Sequence, residues 1–383
     1  MDFRLTDEQR LLGKSVREFA ETELRPHVRE WDAAQHFPSE AMPSLAALGL
    51  LGIQVPETYG GAGLSALDYC ICIEELARVD PAVSLSVAAH NGLCSSHIFM
   101  FGTEAQKRRF LVPLARGERI GAWALTESTS GSDAAGMRTS AVRDGNGWVL
   151  NGAKTFTTHG SVGDVIVVMA VTDRTAGSKG ISAFIVERGT AGLRAGKKED
   201  KLGMRASDTS EVLFEDCRLA GDSVLGDLGQ GFVNTMQVLD AGRIGIAALS
   251  VGLAQGAYEA ALNYAAERRA FGKTLSAFQA IRWKLADAAT RIEASRLLTY
   301  RAAYMKDQGN RTTVESSMAK LYASETAVRV ADDCVQIHGG YGFVKDYPAE
   351  KYFRDVKLTT IGEGTSEIQR LVIARRLLAG WTH

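Results

Sequence analysis

With 383 residues, 45% hydrophobic and 23% charged, the chain is long enough for two or three domains and has the composition of a globular protein. Its formal net charge is −1 and its basic pairs are short, as at Lys197-Lys198 and Arg268-Arg269, which argues against a nucleic-acid partner or binding to an anionic membrane surface. Five cysteines without a CxxC pair, an N-terminus charged from Asp2 onward and no apolar run of spanning length predict reduced thiols in a cytoplasmic protein.

Residues 1–117 read as mostly helical. Thr6-Asp7-Glu8-Gln9 opens a helix with apolar positions Leu11, Leu12, Val16 and Phe19, and Thr6 with Gln9 fits a reciprocal cap. Further helices are predicted over 44–51, 67–79 and 83–100, broken by Val55-Pro56-Glu57 and by Tyr59-Gly60-Gly61-Ala62-Gly63. Gly61, Gly63 and Ala66 echo a dinucleotide fingerprint, but no adequate strand precedes them and no acidic ribose ligand follows, so this stretch is a loop.

From residue 118 the hydrophobic period changes to two. Strands are predicted over 120–125, 138–143, 148–150, 165–171, 181–186 and 211–214, with turn signals at Asp144-Gly145-Asn146-Gly147 and Asn151-Gly152. Short strands without helices between them predict an antiparallel β-barrel or sandwich over 118–226. The helical period then returns for 227–383, over 232–270, 278–307, 313–337 and 366–378. Ile281, Leu285, Ala288, Ala289, Ile292, Leu297 and Leu298 mark an amphipathic helix of the kind that builds a four-helix bundle. The fold class is α+β, mainly α, in three domains.

Several polar, glycine-bearing stretches are poor choices for plain packing. Glu363 stands between Gly362 and Gly364 just before a helix capped by Thr365 or Ser366. A carboxylate there is either an acidic residue favoured by the helix dipole or a general base with open ground for a ligand. Trp123 to Asp133 ends a strand in hydroxyls and Gly131, which suits a polar heterocycle or a phosphate, or equally a Ser/Thr turn. Gly152 to His159 places Phe156 between hydroxyls, as a half-buried strand also would. Gln336-Ile-His-Gly-Gly-Tyr-Gly-Phe343 ends a helix in more glycine than a cap requires. His338 there has no ligand-spaced partner for zinc. Arg268-Arg-Ala-Phe-Gly272 closes a helix with cations suited to the dipole or to a pyrophosphate.

Together these residues resemble the acyl-CoA dehydrogenase family. Ala124 to Asp133 is similar to its first signature. The span from Gln336 to Asp355, with Gly339, Gly340, Gly342, Asp346, Lys351 and Asp355, is similar to its second. Arg268, Phe271, Gly272, Gln279, Glu363 to Ser366 and the domain order also fit, so the likeness covers essentially the whole chain and is nearest to the short- and medium-chain branch.

The resemblance implies an FAD enzyme in which Glu363 removes the α-proton of an acyl-CoA thioester while the β-hydride passes to the flavin, giving the trans-2-enoyl-CoA. It implies that Trp123, Leu125, Thr126, Gly131, Ser132, Phe156, Thr157 and Thr158 line the flavin. Arg268, Phe271, Phe278, Gln279, Gln336, Gly339 and Gly340 would hold the diphosphate and adenosine, partly across a subunit boundary. Thr365, Ser366 and Glu367 would close over the cofactor, and Ser132, Ser178, Asp240, Arg243 and Gly364 would touch acyl-CoA. An electron-transfer flavoprotein as electron acceptor and a homotetramer or dimer follow from the same likeness.

Two departures bear on the acyl group. Gly362 stands where the family often has an aromatic, which opens the acyl pocket, and Phe156 stands where Trp is common. Gly242 occupies the position that carries the base in isovaleryl-type members, which leaves Glu363. The alternatives are a flavin oxidase on the same scaffold, a substrate borne by an acyl carrier protein, or a non-catalytic scaffold.

Overall fold

The computed structural model describes residues 4–379; positions 1–3 and 380–383 of the first and last predicted domains lie outside the described residues. Before the sheet stand α1 (Asp7–Phe19), α2 (Ala66–Val79) and α3 (Pro81–Ala89) among shorter helical turns. After it come α4 (Gly231–Glu267), α5 (Gln279–Asp307), α6 (Thr313–His338), α7 (Ala349–Asp355) and α8 (Ser366–Leu378). The expected cap opens α1: the Gln9 N–H donates to Thr6 Oγ1 at 3.2 Å and the Thr6 N–H donates to Gln9 Oε1 at 3.1 Å. Such a cap contributes about 1 kcal/mol.

The long α4 runs through the middle of the helical mass, and α6 packs against α4, α5 and α8. Glycine lets α4 meet α2 backbone to backbone. A Cβ at Gly252 would stand 2.1 Å from the Glu74 carbonyl oxygen, so even alanine there forces the helices apart. Tyr69, Ile73 and Leu76 of α2, Ile244 and Val251 of α4, and Ala327 and Val330 of α6 share one apolar core. Among the described residues, α4 is the one helix long and apolar enough to cross a membrane by composition, and 72% of its most apolar window is buried inside the chain.

The sheet contains β1 (Gly121–Ala124), β2 (Ser140–Asp144), β3 (Gly147–Thr158), β4 (Val165–Val171), β5 (Ile181–Glu187), β6 (Leu193–Lys198), β7 (Thr209–Leu219) and β8 (Val224–Leu225). Its order is β6-β7-β3-β2-β4-β5-β8, with β1 added beside β4. All of β4 is buried because both sheet faces carry core, Val165, Val167 and Met169 on one side and Ile166, Val168 and Ala170 on the other.

Pairing is mainly antiparallel, and Asp144–Gly147 closes the β2–β3 hairpin as expected. Three details differ from the expectation. Strand β1 runs parallel to β4, and the ends of the sheet do not pair with one another, so the barrel is not closed. The Asn151-Gly152 pair is no turn. The register slips there inside β3, Gly152 adopts φ 148°, and a Cβ on it would stand 2.5 Å from Thr139 Oγ1. That bulge lets β3 run on to Thr158.

A buried ion cluster ties the helical and sheet regions. Lys351 Nζ of α7 donates to Asp80 Oδ1 at 2.8 Å and Asp355 Oδ2 at 2.6 Å, and the Met204 N–H donates to Asp355 Oδ1 at 2.5 Å. Burial lowers the pKa of Lys351, but the two carboxylates outweigh it and hold the amine above its ordinary value.

Candidate active site

The N–H of Gly362 donates to the Leu358 carbonyl at 2.8 Å, and the Ile368 N–H donates to Thr365 Oγ1 at 3.3 Å to cap α8. Between these anchors Glu363 and Gly364 both take positive φ, 53° and 99°. This left-handed turn sends the Glu363 side chain onto α4. A Cβ at Gly242 would stand 2.2 Å from Glu363 Oε2, so the carboxylate occupies the space a side chain there would need.

The Glu363 residue is half-buried, but its Oε2 is closed off from solvent and lacks a hydrogen-bond partner. Burial pushes its pKa from 4.5 to about 7, against the pull of Arg243 and Lys320. A carboxyl in that range can take up a proton near neutral pH. Arg243 is 5% exposed; its Nη1 donates to Asp240 Oδ1 at 2.6 Å, and the Thr313 hydroxyl donates to Asp240 Oδ2 at 2.6 Å. Burial lowers the Arg243 pKa, and Asp240 and Glu363 oppose that. The buried Tyr69 lies alongside, its hydroxyl 2.5 Å from where a Gly245 Cβ would stand.

A second group lies at the β1 and β3 ends. Trp123 donates from Nε1 to His97 Nδ1 at 3.1 Å, and burial pushes His97 down to about 3. Buried Lys154 donates to the Leu125 carbonyl at 3.0 Å and to Glu127 Oε1 at 2.8 Å, while the Thr155 N–H donates to the Thr126 carbonyl at 2.8 Å. These bonds fix the strand end that leads to exposed Gly131 and Ser132. Phe156 has φ 52° and is 65% exposed, between Thr155 and Thr157, whose buried hydroxyls have no partner. Thr158 is half-buried.

A third group surrounds a cavity of about 680 Å³ lined by Arg268, Gly339, Gly340, Tyr341 and their neighbours. The Arg268 guanidinium lies over the Tyr341 ring at 5.4 Å. Gly339 has φ 60°, and a Cβ on either Gly339 or Gly340 would meet open space. Phe271 meets Phe278 edge-on at 6.1 Å, Gln279 opens α5, and Gln336 is exposed in the last turn of α6. His338 is buried, bonded to the Cys334 carbonyl at 2.8 Å and stacked on Tyr264. Thr365 and Glu367 line a separate cavity of about 360 Å³. Ser178 stands apart on the exposed turn Arg174–Gly180.

Family models match nearly the whole chain: acyl-CoA dehydrogenase N-terminal domain over residues 6–118, middle domain over 122–217 and C-terminal domain over 229–378. The chain belongs to the acyl-CoA dehydrogenase family. It is 48% identical over 377 residues to the short-chain specific acyl-CoA dehydrogenase of Clostridium acetobutylicum, covering 98% of this chain and 100% of that one. Butyryl-CoA dehydrogenase of Megasphaera elsdenii superposes with a TM-score of 0.97 at 44% identity, over 99% of this chain and 100% of that one. A chain solved under the name of the electron transferring flavoprotein of Acidaminococcus fermentans superposes with a TM-score of 0.98 at 46% identity, over 99% and 100%. Membership in the acyl-CoA dehydrogenase family makes this an FAD-dependent oxidoreductase acting on a CH–CH bond.

The residues present fit FAD. An exposed aromatic flanked by unpartnered threonine hydroxyls suits a planar polar ring, and Arg268 beside an open glycine pair suits a diphosphate. Sequence reasoning missed Lys320, Gln369, Tyr69 and His97. Lys320 had a readable signal: it falls among the small residues Ser316, Ser317, Ala319, Ala323 and Ser324, the buried stripe of α6.

Proposed function

We propose that the chain oxidises a short acyl-CoA to the trans-2-enoyl-CoA with Glu363 as the base. The observation that carries this is the Glu363 carboxylate, closed off from solvent against Gly242, with its pKa raised to about 7. An α C–H is too weakly acidic for an ordinary exposed carboxylate, and desolvation brings the base near working pH. The positive φ at Glu363 and Gly364 holds the side chain inward, where its carboxylate takes the α-proton. Arg243 and Asp240 line the approach and hold the substrate, together with Gly364, Ser132 and Ser178. When bound, FAD supplies the acceptor for the hydride leaving the β-carbon.

Trp123, Leu125, Thr126, Gly131, Ser132 and Phe156 to Thr158 hold the ring. Arg268, Phe271, Phe278, Gln279, Gln336, Gly339 and Gly340 hold the diphosphate and adenosine, with Thr365 and Glu367 closing over the cofactor. An electron-transfer flavoprotein takes the electrons, the protein works in the cytoplasm as a homotetramer or dimer, and the domain divisions fall near 117 and 226. The short-chain names of its full-length relatives support the acyl length. Anaerobic bleaching of the purified yellow protein by a panel of acyl-CoAs tests the function: fastest bleaching by a short chain is expected, and bleaching by none would overturn it.

A further inference from the structure

Consecutive positive φ angles at a glutamate and a glycine are costly, about 1–3 kcal/mol for the non-glycine alone, and persist only where the surroundings over-determine them. At Glu363 and Gly364 the holding bonds are visible. Gln369 Nε2 donates to the Gly364 carbonyl at 2.9 Å and to the Glu363 carbonyl at 3.3 Å, but Gln369 belongs to the helix that follows the turn. Lys320 is different. Its Nζ, 0% exposed, reaches from α6 and donates to the Gly364 carbonyl at 2.8 Å. It therefore ties the turn to the helix frame that also carries Thr313, which holds Asp240 beside Arg243.

A lysine on a buried helix stripe is expensive unless its ammonium does something there. Burial pushes Lys320 down to about 8, Glu363 raises it and Arg243 lowers it, with smaller upward pulls from Glu367 and Glu325. Lys320 is charged below that pH and lowers Glu363 in turn. The titratable groups around Glu363 are thus Arg243 and Asp240 on α4, Tyr69 on α2 and Lys320 on α6.

We infer that Lys320 is a positioning residue for the base: its ammonium clamps the Gly364 carbonyl, so that the turn aims Glu363 at the substrate, and it brings a positive charge to the turn that carries the carboxylate. The inference rests on the reading of Glu363 as the base.

The test is the pH dependence of kcat/KM on the FAD-loaded enzyme for Lys320→Met, Lys320→Gln and Lys320→Arg, with Glu363→Gln as the control. Lys320→Met leaves the Gly364 carbonyl its Gln369 bond, so the fold is expected to hold. Its acid limb should move to higher pH by about one unit, the size of a neighbouring opposite charge, with kcat down about ten-fold and KM little changed. Lys320→Gln keeps a donor without the charge, so it should shift the limb equally but lose less of kcat. Lys320→Arg keeps the charge and should leave the limb in place. If Lys320→Met fails to fold, the Gln and Arg variants decide alone by the same limb. An acid limb unmoved in whichever uncharged variant binds flavin, with only thermal stability reduced, would overturn the inference and make Lys320 structural. Turnover with an unchanged acid limb in Glu363→Gln would instead sink the reading of the base, so the two failures are distinguishable.

Discussion

Around Glu363 the polar groups are held from inside the chain, Arg243 by Asp240 and the Gly364 carbonyl by Lys320, whereas around Arg268 the side chains stand open. Phe271 is 94% exposed and Phe343 87% exposed, and Gly339 and Gly340 leave open backbone in the wall of the neighbouring cavity. The first region has paid its ordering cost on folding and keeps an ionisable acid in a dry place. The second offers flat rings and a cation to whatever docks there, which suits a cofactor whose binding, not chemistry, is the task. Substitutions in the first region should therefore change turnover at constant flavin content, and substitutions in the second should change flavin content.

The sharpest break is Gly242→Ala. The added methyl falls within 2.2 Å of Glu363 Oε2, so the carboxylate must move by an ångström or more. Such a displacement costs about 10²-fold in kcat, measurable by steady-state turnover with flavin content unchanged; equal loss of flavin would blur the two regions. Arg268→Ala should do the reverse, weakening FAD retention on gel filtration roughly ten-fold or more, as for a lost hydrogen bond to a charged group. Unchanged occupancy would remove Arg268 from the cofactor site.

A smaller effect concerns stability. The folded protein raises Glu363 above its unfolded value, so it binds the proton more tightly than the unfolded chain does, and stability is lost as pH rises from about 4.5 to about 7. Glu363→Gln should then stabilise the protein at pH 8 by about 3 kcal/mol at most and scarcely at all well below pH 4.5, where both states carry the proton; thermal melts compare the two. An equal gain at both pH values would contradict a buried ionised acid. Smallest is Gly362→Tyr. A Cβ there makes only ordinary contact with Leu358, at 3.5 Å or more, and φ is not positive, so the fold should accept it. Selectivity for linear over branched acyl groups should rise about ten-fold, the scale of a few apolar contacts.

The two regions were not equally legible in the sequence. The start of helix α8 was placed because Thr365 caps it, and the end of α6 to within a residue because Gly339 stops it. The Arg268 cavity was readable because three glycines crowd the end of α6, Gly339, Gly340 and Gly342. Strand β6 escaped notice: it is an edge strand, mostly exposed and rich in Arg and Lys, so it carries no alternation. The Asn151-Gly152 bulge uses the residues of a turn, and only the contact with Thr139 separates the two. Around Glu363 the acid itself was legible, but not why it is held: the left-handed turn, the Gly242 contact and the Lys320 clamp join residues far apart in the chain.

The most direct measurement is the rate of anaerobic flavin bleaching by a short-chain acyl-CoA in Glu363→Gln against wild type, at equal FAD occupancy. The fall should reach at least the ~10²–10⁴-fold that a general base supplies, with acyl-CoA still bound. Bleaching at close to the wild-type rate would mean that some other group takes the α-proton.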